Sequence, residues 1–191
     1  MPLAAFLLAT LALLAAPGPS NTLFGLAGAQ GGLRGAARLL PALVAGYLCA
    51  VLPLAFAGAG LTHAWPALMP AIRLLAAAWV AWLAIGLWRN GGPGRQPASI
   101  DARQVWLTTL LNPKALVVAL ALLPAPSAPG FALRLALFAG ISAAVALAWV
   151  GIGVWTTAGA HGTGRLLILH RAASVWLMAV SAGLAATTLQ T

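Results

Sequence analysis

Two short stretches carry the polar chemistry of this chain: Pro17-Gly18-Pro19-Ser20-Asn21 and Leu111-Asn112-Pro113-Lys114. Proline removes a backbone donor and clashes with the preceding helical turn, and glycine loosens the first stretch further. A helix crossing either stretch must kink or unwind. That exposes carbonyl oxygens beside Ser20 and Asn21 in one case, and beside Asn112 and Lys114 in the other. A lysine there can pair with a carboxylate. This is chemistry for holding a ligand rather than for making or breaking bonds. Asp101 is the only acidic residue, so the carboxylate pair that most hydrolases need is missing and no enzyme is expected. Cys49 is the only cysteine, which excludes an intramolecular disulfide, a thiol relay and a multi-cysteine metal site. It is expected to pack as a small hydrophobe. His63, His161 and His170 lack metal-ligand spacing and read as interfacial residues in or beside loops. Neither metal nor cofactor is expected.

Lys114 is the most informative of these residues. Arg103 precedes it by 11 positions, about 16 Å along a helix, which puts the lysine near the centre of a bilayer. A lysine there costs about 2.5–3.5 kcal/mol on insertion scales. Leucines and valines of the same span, among them Leu107, Leu110, Leu116, Val117 and Leu120, offset this at about 0.3–0.6 kcal/mol each. Snorkelling to the interface is the bland alternative. A buried cation must instead be balanced by a ligand, an anion, loss of its proton or backbone carbonyls. Tyr47 lies well inside the second apolar run, where its hydroxyl needs a partner. A neighbouring carbonyl is the simpler reading, and a place in the binding site is the other.

The elements that must position these groups follow from composition. The chain has 191 residues, 62% hydrophobic and 6% charged, with a mean hydropathy of +1.00. A soluble domain of this size could not hide that much apolar surface. A spanning helix needs about 20 mainly apolar residues. Six segments meet or approach that length: roughly 3–28 with its break, then 39–60, 67–88, 104–123, 135–155 and 172–190. Lipid leaves unpaired backbone groups without partners, so the spans must be helical. The expected fold is an all-α integral membrane protein forming one transmembrane domain over 1–191. Its halves cover about 1–90 and 103–191, and a loop over 89–103 joins them. Residues 1–16 lack a basic n-region, and apolar character resumes after Pro19, so they read as part of the first span rather than as a signal peptide.

Ten basic residues against one acid give a formal charge of +9. The arginines stand one to three at a time between uncharged runs, the pattern of cytoplasmic membrane loops rather than of a nucleic-acid binder. The first, third and fifth loops hold Arg34, Arg38, Arg89, Arg95, Arg103, Arg165 and Arg171, against Arg73 and Arg134 on the other side. This places the odd loops in the cytoplasm and both termini outside. Trp65, Trp88, Trp106 and Trp155 fall near span ends, where amphipathic rings prefer the interface. Ala42-Gly46-Ala50, Gly140-Ala144-Ala148 and Ala179-Gly183 form small-residue stripes suited to helix packing.

Each break falls in the first span of a three-span half, and an odd number of spans inverts one half relative to the other. Interrupted helices at matching positions of inverted repeats point to a transporter site at the midplane. A pair of ordinary proline kinks is the competing explanation.

At these breaks the chain resembles the LysE/RhtB family of amino-acid exporters. The family's first-span Pro-Gly-Pro is matched by Pro17-Gly18-Pro19, and its following Gly- and Arg-containing stretch by Gly31, Gly32, Arg34 and Gly35. Its fourth-span Asn-Pro-Lys-Ala, followed by apolar residues and Leu-Pro, is matched by Asn112-Pro113-Lys114-Ala115 through Leu123-Pro124. The Gln-Phe often found after that Leu-Pro is Ala125-Pro126 here, and the polar or acidic residue many members carry in the second span is missing.

The resemblance implies a multi-pass exporter of an amino acid or similar small zwitterion in the bacterial inner membrane, driven by the proton gradient. Its expected substrate site comprises Pro17, Gly18, Pro19, Ser20, Asn21, Tyr47, Asn112, Pro113 and Lys114. Lys114 would hold a carboxylate, the two asparagines polar groups, and the carbonyls around Pro19 and Pro113 an ammonium. Export of another solute or ion, and a non-transporting assembly protein, stay open as alternatives. So does a homodimer.

Overall fold

A computed structural model of the chain describes residues 1–65, 67–90, 99–157 and 162–189. The glycine-rich part of the central loop with Arg95, and the segment holding Gly159 and His161, lie outside the described residues, as do Gln190 and the side chains of His63, Arg73 and Arg165. Among the described residues all regular structure is helical. The order is α1 Leu3–Ala15, α2 Pro19–Ala37, α3 Leu40–Ala64, α4 Leu68–Asn90, α5 Ala102–Leu110, α6 Pro113–Val117 running into a π-helical turn Val118–Leu122, α7 Phe131–Thr157 and α8 Gly162–Leu189.

Both expected breaks interrupt helices. The axis bends by 62° between α1 and α2 and by 45° between α5 and the α6 segment. Pro19 and Pro113 each stand at the opening of the second half-helix, where the missing N–H would lack an intrahelical acceptor in any case. The first helical pair is longer than the expected segment. α2 carries the chain past residue 28 to Ala37, and its regular geometry fails only at Gly32, whose φ of 65° suits a residue without Cβ.

Among the described residues three helical stretches, Leu40–Ala57, Pro70–Arg89 and Phe131–Thr156, are long and apolar enough to cross a membrane, and up to five spans result if each bent pair counts as one. Only 28–35% of the residues in these windows are buried. Helices that are apolar all round yet mostly uncovered need a nonaqueous neighbour. Leu8, Phe56, Trp65, Leu75, Trp82, Trp155 and Ile168 point outward in this way.

Two cores hold the helices together. One joins Phe6 and Leu14 of α1, Phe24 of α2, Leu43 and Val51 of α3, Val105 of α5, Val118 and Phe138. The other joins Leu26 to Val80, Leu83 and Leu87 of α4 and Ala173 and Leu177 of α8. The prominent packings are α2 on α7, α4 on α8 and α3 on α5. Hydroxyls seal the second: Ser174 Oγ donates to Ala84 O at 2.6 Å and Ser181 Oγ to Ala77 O at 2.8 Å. Interhelical bonds of this kind tie apolar helices where leucine contacts alone would not select a partner.

Two of the small residues allow backbone-close packing. A Cβ on Gly28 would lie 2.4 Å from Val150 O of α7, and one on Gly46 would lie 2.8 Å from Trp106 O of α5. The stripe Gly140-Ala144-Ala148 behaves otherwise. It is exposed, and nothing lies within 4 Å of a Cβ on Gly140. α7 instead packs through the face bearing Ala146, Val150 and Gly153. Cys49 is exposed rather than packed inside.

Candidate functional site

The break between α1 and α2 leaves carbonyls without helical partners. Ala16 is extended (ψ 139°), as is Gly18 (φ −176°, ψ 173°), so the ladder stops and the last oxygens of α1 face outward from the turn. Asn21, in the first turn of α2, folds back onto them. Its Nδ2 donates to Leu14 O at 2.7 Å and to Ala16 O at 2.9 Å. Asn21 thereby splints the break from within its own half.

The second break delivers Lys114 to the same place. Leu111 closes α5, and Asn112 takes an extended conformation (φ −77°, ψ 122°). Asn112 Oδ1 accepts from Lys114 N at 3.0 Å, the usual cap of a helix start. From there the Lys114 side chain reaches across to α1. Its Nζ donates to Leu14 O at 3.1 Å and also to Ala16 O. The ammonium therefore lies at the negative end of the α1 dipole, a favourable place for a cation. Gly18 makes room for it, since a Cβ there would lie 3.2 Å from Lys114 Cε and 3.3 Å from Nζ. The lysine is half-buried, and its contact with Ala16 is exposed. Backbone carbonyls, one of the four expected means of balancing this charge, are the partners found.

A second layer of bonds joins the breaks below the lysine. Ser20 Oγ and Thr109 Oγ1 are 3.2 Å apart, and Thr109 also donates to Val105 O at 2.8 Å, so Ser20 supplies the proton between the two hydroxyls. Asn112 Nδ2 donates to Ser20 Oγ at 3.1 Å and to Tyr47 Oη at 3.4 Å. Tyr47 is buried and meets Phe138 edge-on at 5.2 Å. Its hydroxyl partner is thus the Asn112 amide rather than a carbonyl. Ser20, Asn21, Tyr47, Asn112 and Lys114 all converge, with Gly18 packed against the lysine, and Pro19 and Pro113 set the helix starts. Pro17 lines a neighbouring cavity instead.

That cavity, about 210 Å³, lies between α2, α7 and α8 and is lined by Pro17, Thr22, Gly25, Trp149, Gly153 and Trp176. Another of about 290 Å³ lies between α3, α4 and the second break, lined by Ala50, Pro53, Ile72, Ala76, Asn112 and Pro113. Both are mainly apolar, and each abuts one break.

Several participants escape sequence reasoning. Thr109 carries a signal in hindsight, standing three residues before Asn112. The prolines announce that carbonyls are freed near the first break, but not that Leu14 O and Ala16 O are the ones that meet Lys114. His170 is a correction. It lies inside α8, fully buried, with Gln30 Nε2 3.0 Å from its Nε2. An amide nitrogen only donates, so Nε2 accepts and Nδ1 carries the proton, buried without a partner among the described residues. His170 also borders a cavity of about 510 Å³ with Trp79, Asp101, Arg103 and Gln104.

Comparison with protein-family models, with curated proteins and with solved structures found no match.

Proposed function

We propose that this chain is a multi-pass exporter of an amino acid or similar small zwitterion in the bacterial inner membrane, of the LysE/RhtB type, with the solute bound where its two broken helices meet. One observation carries the reading: the ammonium of Lys114, from the second break, is bonded to the carbonyls that the first break frees. Ordinary proline kinks have no reason to converge, because each bends its own helix independently. A converging pair with a charged group between them has the construction of a midplane transport site.

The packing supports six spans in two inverted halves. Let the bent span α1–α2 exchange with α5–α6, α3 with α7, and α4 with α8. The packing of α1 and α2 on α7 then corresponds to that of α5 and α6 on α3, α2 on α8 to α5 on α4, and α3 on α4 to α7 on α8. The pairs α3 with α7 and α4 with α8 map onto themselves. The contact of α2 with α3 is left unexplained by this exchange. The two cavities beside the breaks also correspond, since one uses α2, α7 and α8 and the other α6, α3 and α4.

End-to-end contacts support the same alternation. Arg134 Nη2 donates to Met1 O at 2.9 Å, and Phe56 meets Phe131 at 5.9 Å, so the even connections share one end with the start of α1. Arg171, more than two turns inside α8, lies 5.5 Å from the Trp88 ring in the last turn of α4.

In this reading the Lys114 ammonium serves the solute carboxylate. Asn21 and Asn112 serve its other polar groups. Efflux of labelled amino acids from liposomes containing the purified protein tests the proposal. A panel of amino acids with none leaving faster than from empty liposomes would reject it.

A further inference from the structure

The end of α1 is a cation site by construction, and the chain supplies its own cation. The Leu14 and Ala16 oxygens both point at Lys114 Nζ, and the Asn21 amide fixes their direction by donating to the same pair. No acidic side chain competes for the lysine here. Asp101, the sole carboxylate, caps α5 by accepting from Gln104 N at 2.7 Å. The Ala16 contact lies at the surface of the structure, with Ala15, Ala16 and Pro17 exposed around it.

We infer that Lys114 occupies the place of the solute's own ammonium, and that a zwitterion binds by exchange: its ammonium takes the Leu14 and Ala16 carbonyls, and the displaced Lys114 takes its carboxylate. The identity of the solute rests on the export reading; the self-occupied ammonium site does not. Two ammonium groups repel at one pair of oxygens, so entry of one expels the other. The exchange keeps charge balanced at each stage. Before binding, the lysine lies on the carbonyls. Afterwards, one ammonium lies on the carbonyls and the lysine on a carboxylate.

The exchange defines a solute class. The nitrogen must carry at least two N–H groups to satisfy both oxygens, which admits primary amines and excludes quaternary ones. The carboxylate must lie close to that nitrogen, since Lys114 moves only as far as its side chain allows. An amine without a carboxylate would displace the lysine and leave it unpaired, so it binds poorly to the intact chain.

Removing the lysine side chain should leave a vacancy that a free amine can fill. The test measures the thermal unfolding midpoint of purified Lys114→Ala and of the parent in detergent, with methylammonium, tetramethylammonium or sodium chloride at equal ionic strength. Methylammonium should raise the variant's midpoint saturably by at least about 2 °C, as expected for a ligand specific to the folded state. The other two salts should not, and the parent should respond to none of them. Lys114→Ser carries the same expectation if the alanine variant does not fold. No methylammonium-specific rise in either variant, or an equal rise in the parent, overturns the ammonium site. If sodium alone raises the midpoint, the vacancy is a metal-cation site and the inference is wrong. A methylammonium-specific rise in a chain that exports no amino acid would support the ammonium site while rejecting the exchange with a transported solute.

Discussion

Asn21 and Lys114 donate to the same two acceptors, Leu14 O and Ala16 O, one side chain from each half of the chain. A carbonyl oxygen has two lone pairs, so both donors can be served together. The consequence is a division of labour. Asn21 keeps the oxygens pointing inward whether or not the lysine is present, while Lys114 neutralises their partial charge and bridges the breaks. The charge cost expected for a lysine in this span is reduced without a carboxylate, by the end of a half-helix that proline has cut short.

Lys114→Met should cut initial efflux at least tenfold at matched membrane levels, with expression equal or better. Methionine keeps the unbranched shape and removes a charge costing about 2.5–3.5 kcal/mol on insertion. Lys114→Arg should retain partial activity, because charge persists while size and fork geometry differ. A fully active methionine variant would reduce the lysine to a structural bridge.

Asn112→Ala removes a helix cap and the donor that serves both Ser20 and Tyr47. Cap loss costs about 1 kcal/mol and the buried hydroxyls left short of a partner add more. Together these give a destabilisation of roughly 2–4 kcal/mol, read from unfolding in detergent. Thr109→Val should cost less, since it keeps the helix cap and removes one of Ser20's two partners together with a bond to the Val105 carbonyl of its own helix. Equal stability of Asn112→Ala and parent would remove Asn112 from the network.

The breaks were legible because proline chemistry is local: the residue that cuts the ladder is visible in the sequence. Their convergence was expected from matching positions and the resemblance, but its geometry was not legible. It depends on bends of 62° and 45° and on which way each half-helix departs. His170 was misread because a glycine-rich run nearby suggested a loop, whereas α8 already starts at Gly162 and buries the ring against Gln30, 140 positions earlier. Spacing revealed the small stripe Gly140-Ala144-Ala148 but not which side of α7 faces a neighbour, and that stripe turned out exposed. All-helical structure followed from composition alone, whereas the number of spans did not, because a bent pair satisfies the hydropathy test only when counted as one.

Close packing at Gly28 makes a sharp stability contrast. Gly28→Ala places a Cβ against Val150 O and should destabilise by about 1–3 kcal/mol, the usual cost of overpacking. Gly140→Ala meets open space and should be neutral, or stabilising by up to about 1 kcal/mol through helix propensity. Thermal unfolding of the two variants beside the parent decides it, and an equal effect at both positions would contradict the α2–α7 interface.

Both termini should face the periplasm, from the seven arginines that the sequence assigns to the odd connections against two on the other side, although α8 carries Arg171 well inside the helix. A reporter active only outside the cytoplasm, fused to Thr191, should be active. An inactive reporter on a correctly inserted chain would mean an odd number of spans, in which case the pairing of halves fails, or the opposite orientation, which leaves that pairing intact.

Pro19→Ala and Pro113→Ala should each impair efflux more than stability. Alanine restores the backbone donor that each proline lacks and favours a continuous helix. In the first break a straightened chain would pair the carbonyls near the end of α1 with amides one turn later, taking from Lys114 the acceptors it now holds. In the second it would turn Lys114 away from α1. Neither change adds charge or buries a polar group, so insertion should be no harder and folded protein should be recovered at parent levels. Efflux should fall at least severalfold in each variant, and the double variant should be little worse than the more impaired single one, because both act on one shared site. Initial rates in liposomes at matched protein density measure all four chains. Parent-like efflux in both single variants would make the breaks ordinary kinks. Efflux losses that multiply in the double variant would mean that the breaks act separately rather than through the Lys114 contact.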